Sequence, residues 1–366
     1  MNIAFYTPLN TRSRDIESQA AYFKRQGHQV FLLTQNTYGL LHEHFKNAGC
    51  RVDADDSHAR FVSLRVVKRI LRLVRFCWIN RIDILYAHLE PCNFIAVLGQ
   101  YFVRARVVIC RHHVDEAKLY GFENDLSYRL TYRLAKEIIV VSQRAKDFMI
   151  HHEGIPENRI HVVRLAYDFG LYQLPEEQNV QLLRNKLNAP IVLLTVCRLT
   201  RFKRPELSVE VVKKLIERGI SAKLIILGKG ELLPDLEEKI RTSGLQENCL
   251  LPGYVNNVLE YMAASDLLIH PSLLESSCIT VKEAGLVQLP VIVCRGVGDF
   301  DEVITDRVNG FLTDPGKFVE QTEELVLEYM RNPKIFKETS LKLKQTILHT
   351  FAIERVGPDY ERLFHN

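Results

Sequence analysis

Short apolar runs recur along this chain, and each is followed by residues whose apolar positions repeat at helical spacing. NIAFYT (2–7) reads as a first strand, residues 15–26 as a helix that stops at Gly27, and QVFLLT (29–34) as the next strand. DILYAH (83–88), RVVIC (106–110) and EIIVVS (137–142) follow, and HVVRL (161–165) closes the half. The pattern restarts with IVLLTVCRL (191–199), a helix over about 205–218, then AKLIILG (222–228), LLIHPS (267–272) and PVIVC (290–294). Strands alternating with helices of this length predict parallel sheets built from βαβ units. The polar stretch 171–189, with Pro175 inside it and Pro190 after it, reads as a linker between the halves. The two halves repeat an architecture and not a sequence.

A length of 366 residues agrees with two domains, since one hydrophobic core seldom serves so long a chain. No apolar run is long enough to span a bilayer. The opening MNIAFYTPLN reads as a strand and not as a leader, so the expected location is cytoplasmic. None of the eight cysteines forms a C-x-x-C pair and most sit in apolar runs, which predicts buried thiols and neither disulfides nor zinc.

The formal charge of +4 is too small to argue for a nucleic-acid partner, but its distribution is uneven. From Leu64 to Arg81 the chain carries Arg65, Lys68, Arg69, Arg72, Arg75 and Arg81 with no acid, interleaved with Leu64, Val67, Ile70, Leu71, Val74, Phe76 and Trp78. That is the pattern of a basic amphipathic helix. It fits a helix packing its apolar face on a sheet with its basic face in water. It equally fits a surface that rests on anionic lipid at the cytoplasmic face of a membrane.

Open parallel sheets bind ligands at the carboxyl ends of their strands, so polar residues just after strands carry the chemistry. PSLLESSCITVKEAG (271–285) holds Glu275 and Glu283 on either side of Ser276, Ser277 and Cys278, whose amides open a predicted helix. A helix start suits a phosphate, and a carboxylate suits the vicinal diol of a sugar or ribose. The plainer reading is Ser276 as a cap and Glu283 as a solvated residue. VCRLTRFKRPEL (196–207) offers Arg198 and Lys203 as a diphosphate clamp, with Arg201 and Arg204 solvated; a basic loop with no ligand is the alternative. Gly228 and Gly230 of ILGKGE allow close backbone approach to a ligand or make a tight turn. RHHVDE (111–116) follows a strand, and His112 or His113 points from it into the crevice or sits as an ordinary loop residue.

Together these residues resemble the retaining GT-B glycosyltransferases of family 4. The resemblance is densest from about 191 to 313, through VCRLTRFKRPE, LIILGKGELLPDLEE, NCLLPGYV, AASDLLIHPSLLESSCITVKEAG, LPVIVCRGVG and VNGFL, in the family's order. It implies two Rossmann-like domains whose sheets face across a cleft, 1–170 for acceptor and 171–345 for donor, with 346–366 crossing back as a helix. It implies that Arg198 and Lys203 hold the donor diphosphate, Glu283 the ribose and Glu275 the transferred sugar. The amides of Ser277 to Ile279 lie near the sugar or the phosphates, Tyr254 and Val255 face the base, and His112 lies near the reaction centre. Family members generally need no metal, so none is expected. The partners implied are a nucleotide-sugar donor and a glycan, lipid-linked or small-molecule acceptor.

Three positions depart from the family pattern. Asn10 and Thr11 stand where its first loop has a Gly-Gly pair, Leu165-Ala166-Tyr167-Asp168 replaces N-G-x-D, and Ser276 replaces a common glycine. None removes a charge the chemistry requires. A nucleotide-sugar epimerase on the same scaffold and a catalytically silent sugar- or nucleotide-binding protein are the rival classes.

Overall fold

The computed structural model describes residues 1–55, 62–117, 121 and 125–365. It divides into two compact units, Met1–Leu171 with Thr350–Asn366, and Tyr172–His349. The first unit therefore takes back the chain at Thr350, four residues after the sequence-based boundary at 346.

The first unit is built on β1 (Asn2–Thr7), β2 (Gln29–Thr34), β3 (Arg51–Ala54), β4 (Ile84–His88), β5 (Arg106–Arg111), β6 (Ile138–Val140) and β7 (Ile160–Val162). They form one parallel sheet in the order β3-β2-β1-β4-β5-β6-β7. The second unit carries β8 (Ile191–Val196), β9 (Ala222–Leu227), β10 (Cys249–Gly253), β11 (Leu267–His270), β12 (Val291–Cys294) and β13 (Phe311–Thr313), ordered β10-β9-β8-β11-β12-β13. In each sheet the strand order reverses beside the first strand, between β1 and β4 and between β8 and β11. A reversal leaves a crevice at the carboxyl ends of those two strands, where ligands of doubly wound sheets bind. The central strands are buried on both faces: every residue from Ile3 to Thr7 and from Ile191 to Thr195 is in the core. That is why they read as continuous apolar runs and not as alternating ones.

The helix Ile353–His365 belongs to the first unit and packs on Arg14–Arg25. Phe364 stacks on Phe23 at 5.6 Å between centroids, and the Tyr360 hydroxyl donates to the Arg164 carbonyl at 3.1 Å. Tyr167 and Ala352 form an isolated parallel bridge in the same unit.

Three elements were not visible as separate strands in the pattern. β3, β10 and β13 are edge strands of three to five residues, too short to stand out. The stretch 171–189 is not a linker. Glu177–Leu187 is a helix, ended by Asn188 in a left-handed conformation. Arg184 ties it into the second unit, donating to Asp266 at 2.8 Å and to the Ala264 carbonyl. The basic segment is the helix Val62–Ile79, whose inner face sets Leu73, Phe76 and Cys77 into the core. Its division into an apolar and a basic face is not what the sequence suggested. Leu64, Val67, Leu71, Trp78 and Ile79 all face outward with Lys68 and Arg75, while Arg65, Arg69 and Arg72 are half-buried.

Gly228 and Gly230 follow β9 because the chain leaving β8 runs against them. A Cβ at Gly228 would overlap the Cys197 carbonyl oxygen, and one at Gly230 the Leu199 carbonyl oxygen; Gly228 also has a φ of +139°. Both contacts are with backbone, which cannot swing aside as a side chain can. Gly228→Ala should lower stability by about 2 kcal/mol, a fall in Tm of about 4–8 °C. Gly316→Ala, where a Cβ meets nothing within 4 Å, should leave Tm unchanged. Equal melting of the two variants would disprove this backbone packing.

Candidate functional site

Five loops of the second unit gather at the carboxyl edge of its sheet. Hydrogen bonds knit them together: Leu199 N donates to the Lys229 carbonyl at 3.0 Å, Gly228 N to Gly253 at 2.9 Å, and Leu273 N to Phe202 at 2.8 Å. A Cβ at Gly298, which has a φ of +57°, would lie 2.7 Å from the Glu275 Cβ, so the loop after β12 closes against the loop after β11. The candidate residues after β8, β9, β10 and β11 thus share one edge of one sheet.

Glu275 is the centre of that edge. It is buried, and its Oε1 is held by the Lys203 ammonium and by His270 Nε2, the latter at 2.6 Å. Lys203 also donates to the Leu274 carbonyl at 3.0 Å. Burial would raise the Glu275 pKa, but His270 and then Lys203 outweigh it and hold the carboxyl well below the ordinary carboxylate range. For His270, burial acts downward, while the Cys278 sulfur at 3.7 Å and the Glu275 carboxylate reverse the sign and raise its pKa to about 10. His270 Nδ1 has no hydrogen-bond partner among the described residues.

The turn after Glu275 is fixed by a second buried ion group. Lys282 donates to Ser277 Oγ at 2.8 Å and to the Cys278 carbonyl at 3.3 Å, and lies 3.5 Å from Asp299 Oδ2. Ser277 Oγ donates to Asp299 at 2.7 Å, so its side chain is committed and only its backbone remains to meet a ligand. The helix Ile279–Leu286 begins after Cys278, which makes no side-chain cap; Ser276 is therefore not the cap. Its first N–H groups lack the intrahelical partners that later turns have. Glu283 is half-buried one turn into this helix.

Arg198 is exposed, and its guanidinium makes no ion pair or hydrogen bond among the described residues. Tyr254 is exposed, and Val255 beside it is half-buried. Arg204 corrects the expectation of a solvated residue. Its guanidinium donates to the Pro271 carbonyl at 2.8 Å, the Pro315 carbonyl at 2.9 Å and Cys294 Sγ at 3.4 Å, and its φ is +48°. It staples the β11 loop in place, while Arg201 is exposed as expected.

In the first unit the β1–β4 crevice holds the other candidates. Asn10 is anchored through its carbonyl to Leu41 N at 3.1 Å and through Nδ2 to the Thr37 carbonyl at 3.2 Å, and Thr11 is exposed. His112, after β5, lies 3.0 Å from Nδ1 of His88, which ends β4 and is fully buried. Burial and the neighbouring His112 push the His88 pKa well down. Burial also acts downward on His112, but Cys110, Asp15 and Glu116 raise it to about 9. Buried Glu116 accepts from the backbone of His112 at 2.9 Å and of His113 at 3.2 Å, and from the Tyr132 hydroxyl at 2.7 Å.

His88, Cys110 and His112 bring potential metal-ligand atoms within 4.8 Å of one another, as do His270, Glu275 and Cys278. In the second group the Lys203 ammonium already supplies the cation beside Glu275. All eight cysteines are free thiols. Sequence reasoning missed His270, Lys282, Asp299, His88 and Glu116, whose roles come from tertiary contact; only the histidines at strand ends left a visible trace.

The fold, with two Rossmann-like sheets and carboxyl-edge loops of this kind, is that of a GT-B enzyme. Residues 14–169 match the family described as Glycosyltransferase Family 4, and residues 179–346 match Glycosyl transferases group 1. The chain belongs to these GT-B glycosyltransferases. It is 34% identical over 240 residues to an uncharacterized glycosyltransferase of Methanocaldococcus jannaschii, covering 62% of this chain and 59% of that one. It is 24% identical over 268 residues to the Escherichia coli UDP-Gal:alpha-D-GlcNAc-diphosphoundecaprenol alpha-1,3-galactosyltransferase, covering 69% of this chain and 67% of that one. Its fold matches the crystal structure of Anabaena HepE in complex with UDP-glucose, with a TM-score of 0.83 at 18% identity, over 100% of this chain and 99% of that one.

The linked groups around Glu275 give a pH signature. A raised His270 contributes stability that is complete below its ordinary value of 6.5 and is lost as pH rises through about 10. A depressed Glu275 contributes stability that is present above its ordinary value of 4.5 and is lost only in stronger acid. Wild-type stability should therefore slope downward between these two His270 values, and His270→Gln should flatten that slope. Parallel melting-versus-pH curves for both proteins would refute the ion group.

Proposed function

We propose that this protein is a retaining glycosyltransferase that moves a sugar from a nucleotide-diphosphate donor, UDP- or GDP-linked. The acceptor is a hydroxyl on a glycan, lipid-linked or small-molecule substrate of surface polysaccharide or lipopolysaccharide assembly, met on the cytoplasmic side. The carrying observation is the Lys203–Glu275 pair at the β8–β11 reversal, followed directly by a helix start without a side-chain cap.

In this reading Arg198 and Lys203 face the diphosphate, and the amides of Ser277, Cys278 and Ile279 add donors to it. The bond from the anomeric carbon to the phosphate oxygen breaks, leaving an oxocarbenium-like sugar and a diphosphate anion. The acceptor oxygen forms the new bond on the same face, and its proton passes to the departing phosphate. Fixed cations and amides aimed at that anion are worth several kcal/mol because they need no reorganisation. Glu275, with Oε1 committed to His270 and Lys203, keeps Oε2 for a sugar hydroxyl. Glu283 takes the ribose, Tyr254 and Val255 the base, and His112 lies near the sugar. The loops of Gly228 and Gly230, and of Asn10 and Thr11, shape the two crevices. The charge on the leaving group is met by the chain itself, so no metal is required.

The reading draws support from the E. coli relative, whose name gives a UDP-sugar donor and a diphosphoundecaprenol acceptor, and from UDP-glucose in the HepE crystal. UDP, GDP and their sugar conjugates should be screened by thermal shift, with and without Mg²⁺. Ligand at a hundred times its dissociation constant adds about 2.7 kcal/mol of apparent stability. One nucleotide should raise Tm, and Glu283→Ala should remove that shift. Lys203→Ala should lower kcat by about a hundredfold or more. Donor altered without acceptor would favour an epimerase; binding without turnover, with any acceptor, would favour a silent binding protein.

A further inference from the structure

We propose that the outer face of the Val62–Ile79 helix, with the loop at 101–104 and the cleft beside β3, docks on the surface of an anionic lipid bilayer. The inference deepens the reading of a lipid-linked acceptor and rests on it for its biological purpose, but its physical basis is separate.

Leu64, Val67, Lys68, Leu71, Arg75, Trp78 and Ile79 follow one another at spacings of one, three or four residues, which places them on one stripe about 22 Å long. All are exposed; Leu71 and Ile79 keep 64% and 65% of their surface in water and Trp78 keeps 52%. A solvated helix does not ordinarily turn five large apolar side chains outward along one line. The stripe continues past the helix end. The Trp78 indole donates to the Phe102 carbonyl at 3.0 Å, and Phe102 and Tyr101 are 63% and 60% exposed. Cations sit over these rings: Arg104 lies 5.1 Å from the Trp78 centroid and Lys136 lies 5.5 Å from that of Tyr101. Exposed aromatic rings beside lysine and arginine match the boundary between acyl chains and headgroups, where each such ring has an apolar and a wet end.

Beside the stripe runs a cleft of about 670 Å³ whose lining includes Arg51, Arg72, Arg75, Leu71 and Ile79 and one acid, Asp53. Arg72 is matched by Asp53 at 2.9 Å and Asp55 at 3.4 Å, whereas Arg51 and Arg75 are exposed without an acidic partner among the described residues. Apolar walls with unmatched guanidinium groups complement a phosphate headgroup and the first carbons of its chains. Charge complementarity therefore selects an anionic bilayer over an apolar protein partner.

Trp78 is the only tryptophan of the chain, so its fluorescence reports on this surface alone. The full protein, without donor, is mixed with phosphatidylcholine vesicles with and without about one quarter phosphatidylglycerol. Anionic vesicles should shift the emission to the blue, brominated acyl chains should quench it, and the protein should sediment with them. Neutral vesicles should do none of these. The double variant Lys68→Glu with Arg75→Glu should bind at least tenfold more weakly, and Leu71→Ser with Phe102→Ser should lose the blue shift. Retained donor binding in these variants shows that they fold. No blue shift with anionic vesicles overturns the inference. So does a shift produced by raising protein concentration alone, which marks a face between two copies, or by glycerol phosphate alone, which marks a soluble-anion site. Failure here leaves nucleotide binding intact, whereas failure of the transferase reading removes the nucleotide shift and leaves vesicle binding in place.

Discussion

A carboxylate taken out of water must be met by charge and hydrogen bonds, and Glu275 is met by both on one oxygen. The rest of the second unit's edge is arranged around that requirement. Lys203 can reach Glu275 only because the loop after β8 folds back over β11, and Leu273 N bonding to Phe202 fixes that return. His270 can reach it because it is the last residue of β11. The loop after β12 presses in so closely that Gly298 has no room for a side chain. Removing either cation would leave a buried charge half matched, a large penalty, so these neighbours are fixed jointly and not one at a time.

The parallel sheet makes this convergence possible. All strands of the second sheet point the same way, so every following loop emerges at one edge, and the reversal between β8 and β11 parts two of them. The glycines after β9 serve the same end by letting backbone pass against backbone at Cys197 and Leu199. Their lack of a side chain is thus explained by the protein's own packing. The first unit repeats the plan with different chemistry. There the β4 and β5 ends supply His88 and His112, and buried Glu116 holds the backbone of the second.

Much of this was legible because burial on both faces writes a parallel strand as an apolar run, as in IVLLTV and AKLIIL. Arg198 and Lys203 after IVLLTV, and Glu275 after LLIH, were legible for the same reason. Edge strands such as Arg51–Ala54 carry no such run and could not be seen. The helix Glu177–Leu187 looked like a linker because only Leu187 of its residues is buried. Its place is set by Arg184 and Asp266, a contact across 82 positions that no local pattern encodes. Arg204 was misjudged for a related reason: its partners are carbonyl oxygens of two distant loops, and carbonyls leave no mark in a sequence.

The cations at this edge can be sorted by what already holds them. Lys203 is bound to Glu275, Lys282 is closed in with Asp299 and Ser277, and Arg204 is spent on carbonyl oxygens. Each stabilises a loop, and Lys282 and Arg204 could meet a ligand only by giving up a bond that shapes the site. Arg198 differs. It leaves β8 at the reversal, stays in water, and makes no such bond among the described residues. An unmatched guanidinium keeps its full fork of donors for an incoming anion, and desolvating it becomes favourable once a phosphate takes the place of water. On the proposed reading the edge divides its labour: Lys282 and Arg204 hold the loops in register, Lys203 both pairs with Glu275 and faces the anion, and the unmatched Arg198 is left to recognise charge.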